Sequence, residues 1–267
     1  MAVDLFQMIT QTKCEFAIFI LVVLVVSSGG LFRFCRVVAM QKKTHLKQSL
    51  LEIDKQRGEK KVEMETLEEE CLKLLRKYDA PEEKGEINAA VAFMYANEGM
   101  RQPTKVAEYC EKALSYPLKI TKACQLYVYW GESLEAKHSD SKSDIFVAVR
   151  RQIVMPYLTG LKLVLDNQTT REIQEPPAVG KYRYDGPTSD PQYRKMLKKH
   201  KDEISKRKRV ILQNKLVEYR KVFTSKCVAL YSRKPFATDE LERIAIDILK
   251  NREAVKELVT EVKAGIN

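Results

Sequence analysis

An uninterrupted apolar segment near the N-terminus is the feature that most constrains this chain. Residues 16–32, FAIFILVVLVVSSGGLF, place 17 positions in a row without a charged side chain. A helix of about 17 to 25 apolar residues can cross a bilayer, and this one extends through Cys35 if the Arg33 side chain reaches the headgroups. We therefore predict a transmembrane anchor over residues 16–35, preceded by a short tail at residues 1–15.

Two other interpretations of this segment stay open. Its most hydrophobic part, residues 16–26, is 11 residues long, which also suits the apolar region of a cleaved signal peptide or a buried core helix. Cleavage is disfavoured because Asp4 and Glu15 leave the preceding tail without a basic region, and no Ala-x-Ala site follows. A cleaved signal would make the protein an exported helical protein, and we keep this as an alternative.

The charges that flank the segment predict its orientation. Five basic residues and no acidic residue lie between Phe32 and Glu52: Arg33, Arg36, Lys42, Lys43 and Lys47. The positive-inside rule places such a flank on the cytoplasmic side of the membrane. We therefore expect a single-pass membrane protein whose body is cytoplasmic.

The pattern of cysteines and histidines indicates no metal site or catalytic site. Six cysteines form no CxxC pair, and the three histidines lie far apart in the sequence. The chain also contains no phosphate-binding loop, GxGxxG, HExxH or GxSxG motif. We predict a protein that is not an enzyme and has no cofactor, with free thiols in a reducing compartment. Only the exported alternative would favour a disulfide, between Cys110 and Cys124.

The residues after the segment predict an all-α fold, because the 267-residue chain has only 10 Gly and 9 Pro to interrupt helices. A coiled-coil-like stalk helix is predicted over residues 41–78. Its seam alternates spacings of four and three along Leu46, Leu50, Ile53, Arg57, Lys60, Met64, Leu67, Cys71 and Leu74. The seam fails at Arg57 and Lys60, so we expect a break there. Residues 46–74 could pair with a second copy or with the body; a single amphipathic helix is the alternative.

A helical-repeat-like domain is predicted over residues 86–166. Its first helix ends at Gly99, and the second starts at Pro103 and ends at Pro117. A second helical pair follows, in which Gly131 allows a close approach of a neighbouring helix and Pro156 is expected to kink the last helix. The two pairs are typical of stacked helical hairpins.

The first pair resembles a tetratricopeptide-type repeat over about 34 residues. Val106, Cys110 and Ala113-Leu114 occupy the pattern of that family's second helix, with Cys110 in place of its aromatic residue and Pro117 one position early. In the first helix, the family has Trp, Leu and Gly where this chain has Ala90, Phe93 and Met94. The resemblance implies stacked hairpins that bind a partner protein.

The C-terminal part begins with a linker and continues with a basic helix. Residues 167–191 contain four prolines and two glycines, which predicts a linker. From Gln192 to Lys221 there are twelve Lys or Arg against three Asp or Glu, a net +9 of the chain's +11. A long helix is predicted from Gln192 to about Ser232, followed by a C-terminal helical cap that completes the region 192–267.

The basic helix has three interpretations: a solvated face, a surface for anionic lipid, and a surface for nucleic acid or an acidic protein. Nucleic acid is disfavoured because no aromatic residues interleave the charges and no RNA-binding signature is present. The candidate anion-binding residues are Arg194, Lys195, Lys198, Lys199, Lys206, Arg207, Lys208 and Arg209.

From this architecture we predict a membrane-anchored helical scaffold or adaptor that mediates protein–protein interaction. The candidate partner contacts are aromatic residues of the helical hairpins: Tyr95, Tyr109, Tyr127, Tyr129 and Trp130. The first alternative function is an electrostatic module that binds anionic lipid or nucleic acid through residues 194–209. The second is the signal-cleaved exported protein described above.

Overall fold

The computed structural model describes residues 30–59, 62–139, 143–180, 190–231 and 238–265. Over these residues the chain forms nine helices and no strand, which confirms the all-α prediction. Most of the predicted anchor, residues 16–29, lies outside the described residues. Within them, none of the helices combines the length and the apolar character that a membrane crossing requires.

The described residues divide into two compact units, with the boundary between Leu74 and Leu75. Helix α1 spans Gly30–Gly58 and helix α2 spans Met64–Lys77, so the predicted stalk is interrupted where its apolar seam fails. Among the side chains of α1 and α2 that the structure describes, the buried ones are seam residues: Leu46, Ile53, Leu67 and Cys71. The pattern therefore predicted both the buried face and the break in the helix.

The second unit contains the remaining helices in chain order. They are α3 (Pro81–Asn97), α4 (Pro103–Leu114), α5 (Ile120–Lys137), α6 (Ser143–Asn167), α7 (Pro191–Tyr231), α8 (Thr238–Leu249) and α9 (Arg252–Ala264). From α3 to α7, each helix packs against the next one. Helices α8 and α9 form a closing pair, in which α8 packs on α6 and α9 packs on α7.

Two glycines allow close contact between helices of this unit. A Cβ atom on Gly131 in α5 would lie 2.2 Å from Cζ of Tyr157 in α6. A Cβ atom on Gly160 in α6 would lie 2.3 Å from Cζ of Phe223 in α7. Because both aromatic rings are fully buried, each glycine provides space that a larger side chain would fill. The predicted close approach at Gly131 is thus confirmed.

The first half of the predicted linker is held against α7. Gln213 accepts a hydrogen bond from the Thr169 amide at 2.7 Å and donates one to the Asn167 carbonyl at 3.1 Å. Asn214 accepts from the Gln174 amide at 2.9 Å and donates to the Gln174 carbonyl at 2.7 Å. These bonds pair exposed backbone groups of the segment 167–180. We call this segment the strap.

Candidate functional site

Helices α3 and α5 present one partly exposed face that joins the two predicted hairpins. Lys122 of α5 forms an ion pair with Glu86 of α3. The rings of Tyr129 and Phe93 meet edge to face, with centroids 5.8 Å apart. Both pairs are separated by 36 residues (122 − 86 and 129 − 93), so α3 and α5 run in the same direction.

Residues at helical spacings of three and four extend this face along both helices. We call it the α3–α5 face and define it by Glu86, Ala90, Phe93, Lys122, Gln125 and Tyr129, all partly exposed. Gln125 donates a hydrogen bond to the Tyr129 hydroxyl at 3.2 Å, which orients the ring against Phe93. The face combines an aromatic centre with an ion pair and an amide, a combination suited to protein contact.

The structure does not bring the five predicted contact residues into one patch. Tyr95 and Tyr109 are core residues, with only 1% and 5% of their surface exposed, and their rings stack at 6.4 Å. Lys105 donates a hydrogen bond to the Tyr95 hydroxyl at 2.8 Å. These two tyrosines stabilise the contact of α3 with α4 and offer little surface to a partner.

The other three predicted contacts are partly buried and lie on two sides of α5. Tyr127 and Trp130 stack on each other with centroids 6.3 Å apart, and Tyr127 also packs against the main core. Tyr129 alone points to α3, where it meets Phe93. Sequence reasoning placed Phe93 only in the repeat pattern and missed its role in the face; the 36-residue spacing to Tyr129 was the available signal.

The predicted anion-binding residues are all exposed along the N-terminal half of α7. Helical spacing places most of them on the side opposite Met196, His200 and Ile204, which are partly buried. On the partly buried side, the Glu203 carboxylate accepts a hydrogen bond from the Gly180 amide of the strap at 3.3 Å. One side of the helix therefore faces the strap and the other presents positive charge.

A polar network that the sequence reasoning missed connects α5, α6 and α7. The Tyr157 hydroxyl donates a hydrogen bond to the Glu135 carboxylate. Burial is the larger cause, and this hydrogen bond the next, of a pKa of Tyr157 that is raised above its ordinary value. Lys226 lies 2.9 Å from the Glu132 carboxylate and 3.8 Å from that of Glu135. Because Lys226 contacts both carboxylates and the tyrosine hydroxyl donates to one of them, the network satisfies polar groups at a helix junction. The i, i+3 spacing of the two glutamates was its only signal in the sequence.

A second missed contact joins α6 to α7 and α8. The Arg150 guanidinium is 6% exposed, donates to Glu240 at 3.0 Å and lies 4.6 Å from the ring centroid of Tyr231. The contact is a paired charge over an aromatic face, which makes burial of the arginine tolerable.

Four cysteines whose side chains the structure describes are buried free thiols: Cys71, Cys110, Cys124 and Cys227. The disulfide between Cys110 and Cys124 that the exported alternative would favour is not formed. Burial raises the pKa of each of the four thiols to about 12, so little reactive thiolate exists at neutral pH. Within the same described residues, no three His, Cys, Asp or Glu side chains come together as a metal site.

Comparison with protein-family models, with curated proteins and with solved structures found no match to this chain.

Proposed function

We propose that this protein is a membrane-anchored helical scaffold that binds a partner protein through the α3–α5 face. The observation that carries the proposal is the pairing of Phe93 with Tyr129 on two parallel helices, flanked by the Glu86–Lys122 ion pair. Aromatic residues are enriched at the centres of protein interfaces, and polar groups are enriched at their rims. The α3–α5 face has both features over two successive hairpins.

The packing of α3 to α7 supports a binding platform. Each helix contacts the next, as in arrays of helical hairpins, and the closing helices α8 and α9 cover the far end. The tetratricopeptide-like resemblance of residues 86–117 agrees with this arrangement and remains part of the proposal. The proposal assigns no catalytic step to the protein.

The anchor and the cytoplasmic location rest on the sequence. The apolar segment 16–32 and the five basic residues before Glu52 support a single-pass helix with the body in the cytoplasm. A membrane tether would raise the local concentration of the α3–α5 face near membrane partners, which is a recognised advantage of tethered binding modules.

Site-specific photo-crosslinking in native membranes tests the docking face. A photoreactive phenylalanine analogue replaces Tyr129 in the full chain, and the same analogue replaces Ile246 in the control variant. Ile246 is a matched position because it is an exposed apolar residue of α8, with 48% of its surface accessible.

We expect the analogue at position 129 to trap one discrete protein adduct that is absent with the control. The adduct should weaken when Phe93→Ser is added, because that change removes the aromatic partner of the ring. The absence of any adduct at position 129 in a folded chain would refute the docking face. Identical adducts at both positions would refute it as well.

A further inference from the structure

The N-terminal half of α7 forms a charged surface that the α3–α5 face does not explain. At 1.5 Å per residue the 41-residue helix is about 61 Å long. All its fully buried residues lie at or beyond Leu216, including Phe223, Cys227 and Leu230. Residues 191–210 include no buried side chain, so this half of the helix does not pack in the core.

The charge on this half is concentrated on one side. Helical spacing groups eight exposed basic residues over about half of the circumference. We call this surface the basic ridge and define it by Arg194, Lys195, Lys198, Lys199, Lys201, Lys206, Lys208 and Arg209. Asp202 is the only acidic residue on that side, while Glu203 and Arg207 fall on the side of the strap.

The chemistry of the ridge fits an anionic surface that is broad and has no fixed pattern. Lysines outnumber arginines six to two among its residues, and lysine binds phosphate as a point charge without bidentate recognition. No aromatic residue lies among the ridge residues to stack on bases, which proteins that bind single-stranded nucleic acid use for affinity. Clusters of four to eight basic residues on one helix are typical of binding to anionic lipid.

We propose that the basic ridge docks on the anionic headgroups of a lipid bilayer. The proposal rests on the membrane anchor of the proposed function for its proximity to a bilayer. With the ridge docked, the chain would contact lipid at two places, through the apolar segment 16–32 and through the ridge. The second contact is reversible and depends on salt, because it consists of exposed charges.

A probe on the ridge measures this contact in the full chain. Ser205 is exposed and lies between ridge residues on the same side of α7, so a fluorophore on Ser205→Cys reports its distance from lipid. Cys14 and Cys35 are replaced by serine, and the four buried thiols remain unlabelled in the folded chain. The chain is placed in nanodiscs of phosphatidylcholine with or without phosphatidylserine, each containing a lipid with a nitroxide on its headgroup.

We expect strong quenching of the fluorophore in anionic nanodiscs and weak quenching in neutral ones. Added salt should remove the quenching. A ridge variant with four changes should remove it as well, because glutamine keeps the helix but removes the charges: Arg194→Gln, Lys195→Gln, Lys198→Gln and Arg209→Gln. The control variant removes four exposed charges elsewhere in the unit: Arg151→Gln, Arg243→Gln, Arg252→Gln, Lys256→Gln. Its quenching should equal that of the unmodified chain.

The outcomes separate this proposal from the proposed function. If the chain does not enter nanodiscs but sediments with anionic vesicles in a ridge-dependent way, the anchor is wrong and the ridge proposal stands. If the chain enters nanodiscs and the fluorophore is equally quenched with and without phosphatidylserine, or in both charge variants, the ridge proposal is wrong. Retention of quenching by the ridge variant, together with its loss of binding to RNA or DNA, would assign the ridge to nucleic acid and also overturn it.

Discussion

The contact of Gly131 with Tyr157 gives the sharpest test of how the helical unit is packed. In Gly131→Ala, the added Cβ atom would lie 2.2 Å from Cζ and 2.3 Å from Cε1 of the tyrosine ring. Ordinary contacts of a Cβ atom begin at about 3.4 Å, so the helices or the ring must shift by roughly 1 Å. The ring cannot move freely because it is fully buried and its hydroxyl donates a hydrogen bond to Glu135.

Two opposing free-energy terms set the magnitude of this effect. Overpacking a core costs about 1–3 kcal/mol, and the closeness of two ring atoms places this site near the upper value. Alanine gains about 1 kcal/mol over glycine inside a helix. We therefore expect Gly131→Ala to lower the free energy of unfolding by about 2 kcal/mol, which is about 4–8 °C in Tm for a unit of this size.

Urea denaturation of the full chain measures the change, with Trp130 as the reporter. It is the only tryptophan of the chain and precedes the mutated residue directly. Gly58→Ala is the matched control, since no atom lies within 4 Å of a Cβ there. The control should be neutral or slightly stabilising.

A double-mutant cycle isolates the clash. Tyr157→Leu removes the three ring atoms nearest to the added Cβ, so Gly131→Ala should be neutral or stabilising by up to about 1 kcal/mol in that background. The coupling free energy should therefore be about 2–3 kcal/mol. The packing argument fails if Gly131→Ala is no more destabilising than Gly58→Ala, or if Tyr157→Leu leaves its cost unchanged.

Three further predictions concern other parts of the structure. Gly160→Ala should destabilise by a similar 1–3 kcal/mol, measured by urea denaturation, because the added Cβ would lie 2.3 Å from the buried Phe223 ring; stability equal to the unmodified chain would contradict this. Asn214→Ala removes both hydrogen bonds to Gln174, so hydrogen exchange of the strap should accelerate while that of α6 stays unchanged; an unchanged strap would show that these bonds do not hold it. The four buried thiols have a pKa raised from 9.0 to about 12, so stability should fall as the pH rises through this range, where only the unfolded chain ionises its thiols; stability that rises with pH in that range would contradict the assignment.

Local signals in the sequence predicted the helices well. The break after Gly58 followed from the failure of an apolar seam, and the start of α7 at Pro191 lies one residue from its predicted start. Each of these features depends on residues within one or two helical turns, which a single sequence displays.

Contacts between distant residues could not be predicted. The side-chain amides of Gln213 and Asn214 hold the strap by its backbone groups, which lie 40 to 46 residues earlier in the chain. Amide side chains of this kind occur throughout exposed helices, so their pairing has no signature in composition or periodicity. For the same reason, the five candidate aromatic residues could not be sorted into the buried pair Tyr95–Tyr109 and the partly exposed Tyr129 before their helices were placed.

The proposed function, and the closeness to a bilayer that favours docking of the ridge, depend on one claim, that residues 16–35 remain on the chain and hold it in a bilayer. Alkaline extraction of native membranes, followed by mass spectrometry of the protein in the pellet, tests this claim directly. The account predicts that the protein stays in the pellet and that peptides covering residues 16–35 are recovered from it. Release of the protein by the alkaline wash, or recovery of a mature chain that begins after residue 28, would contradict the account.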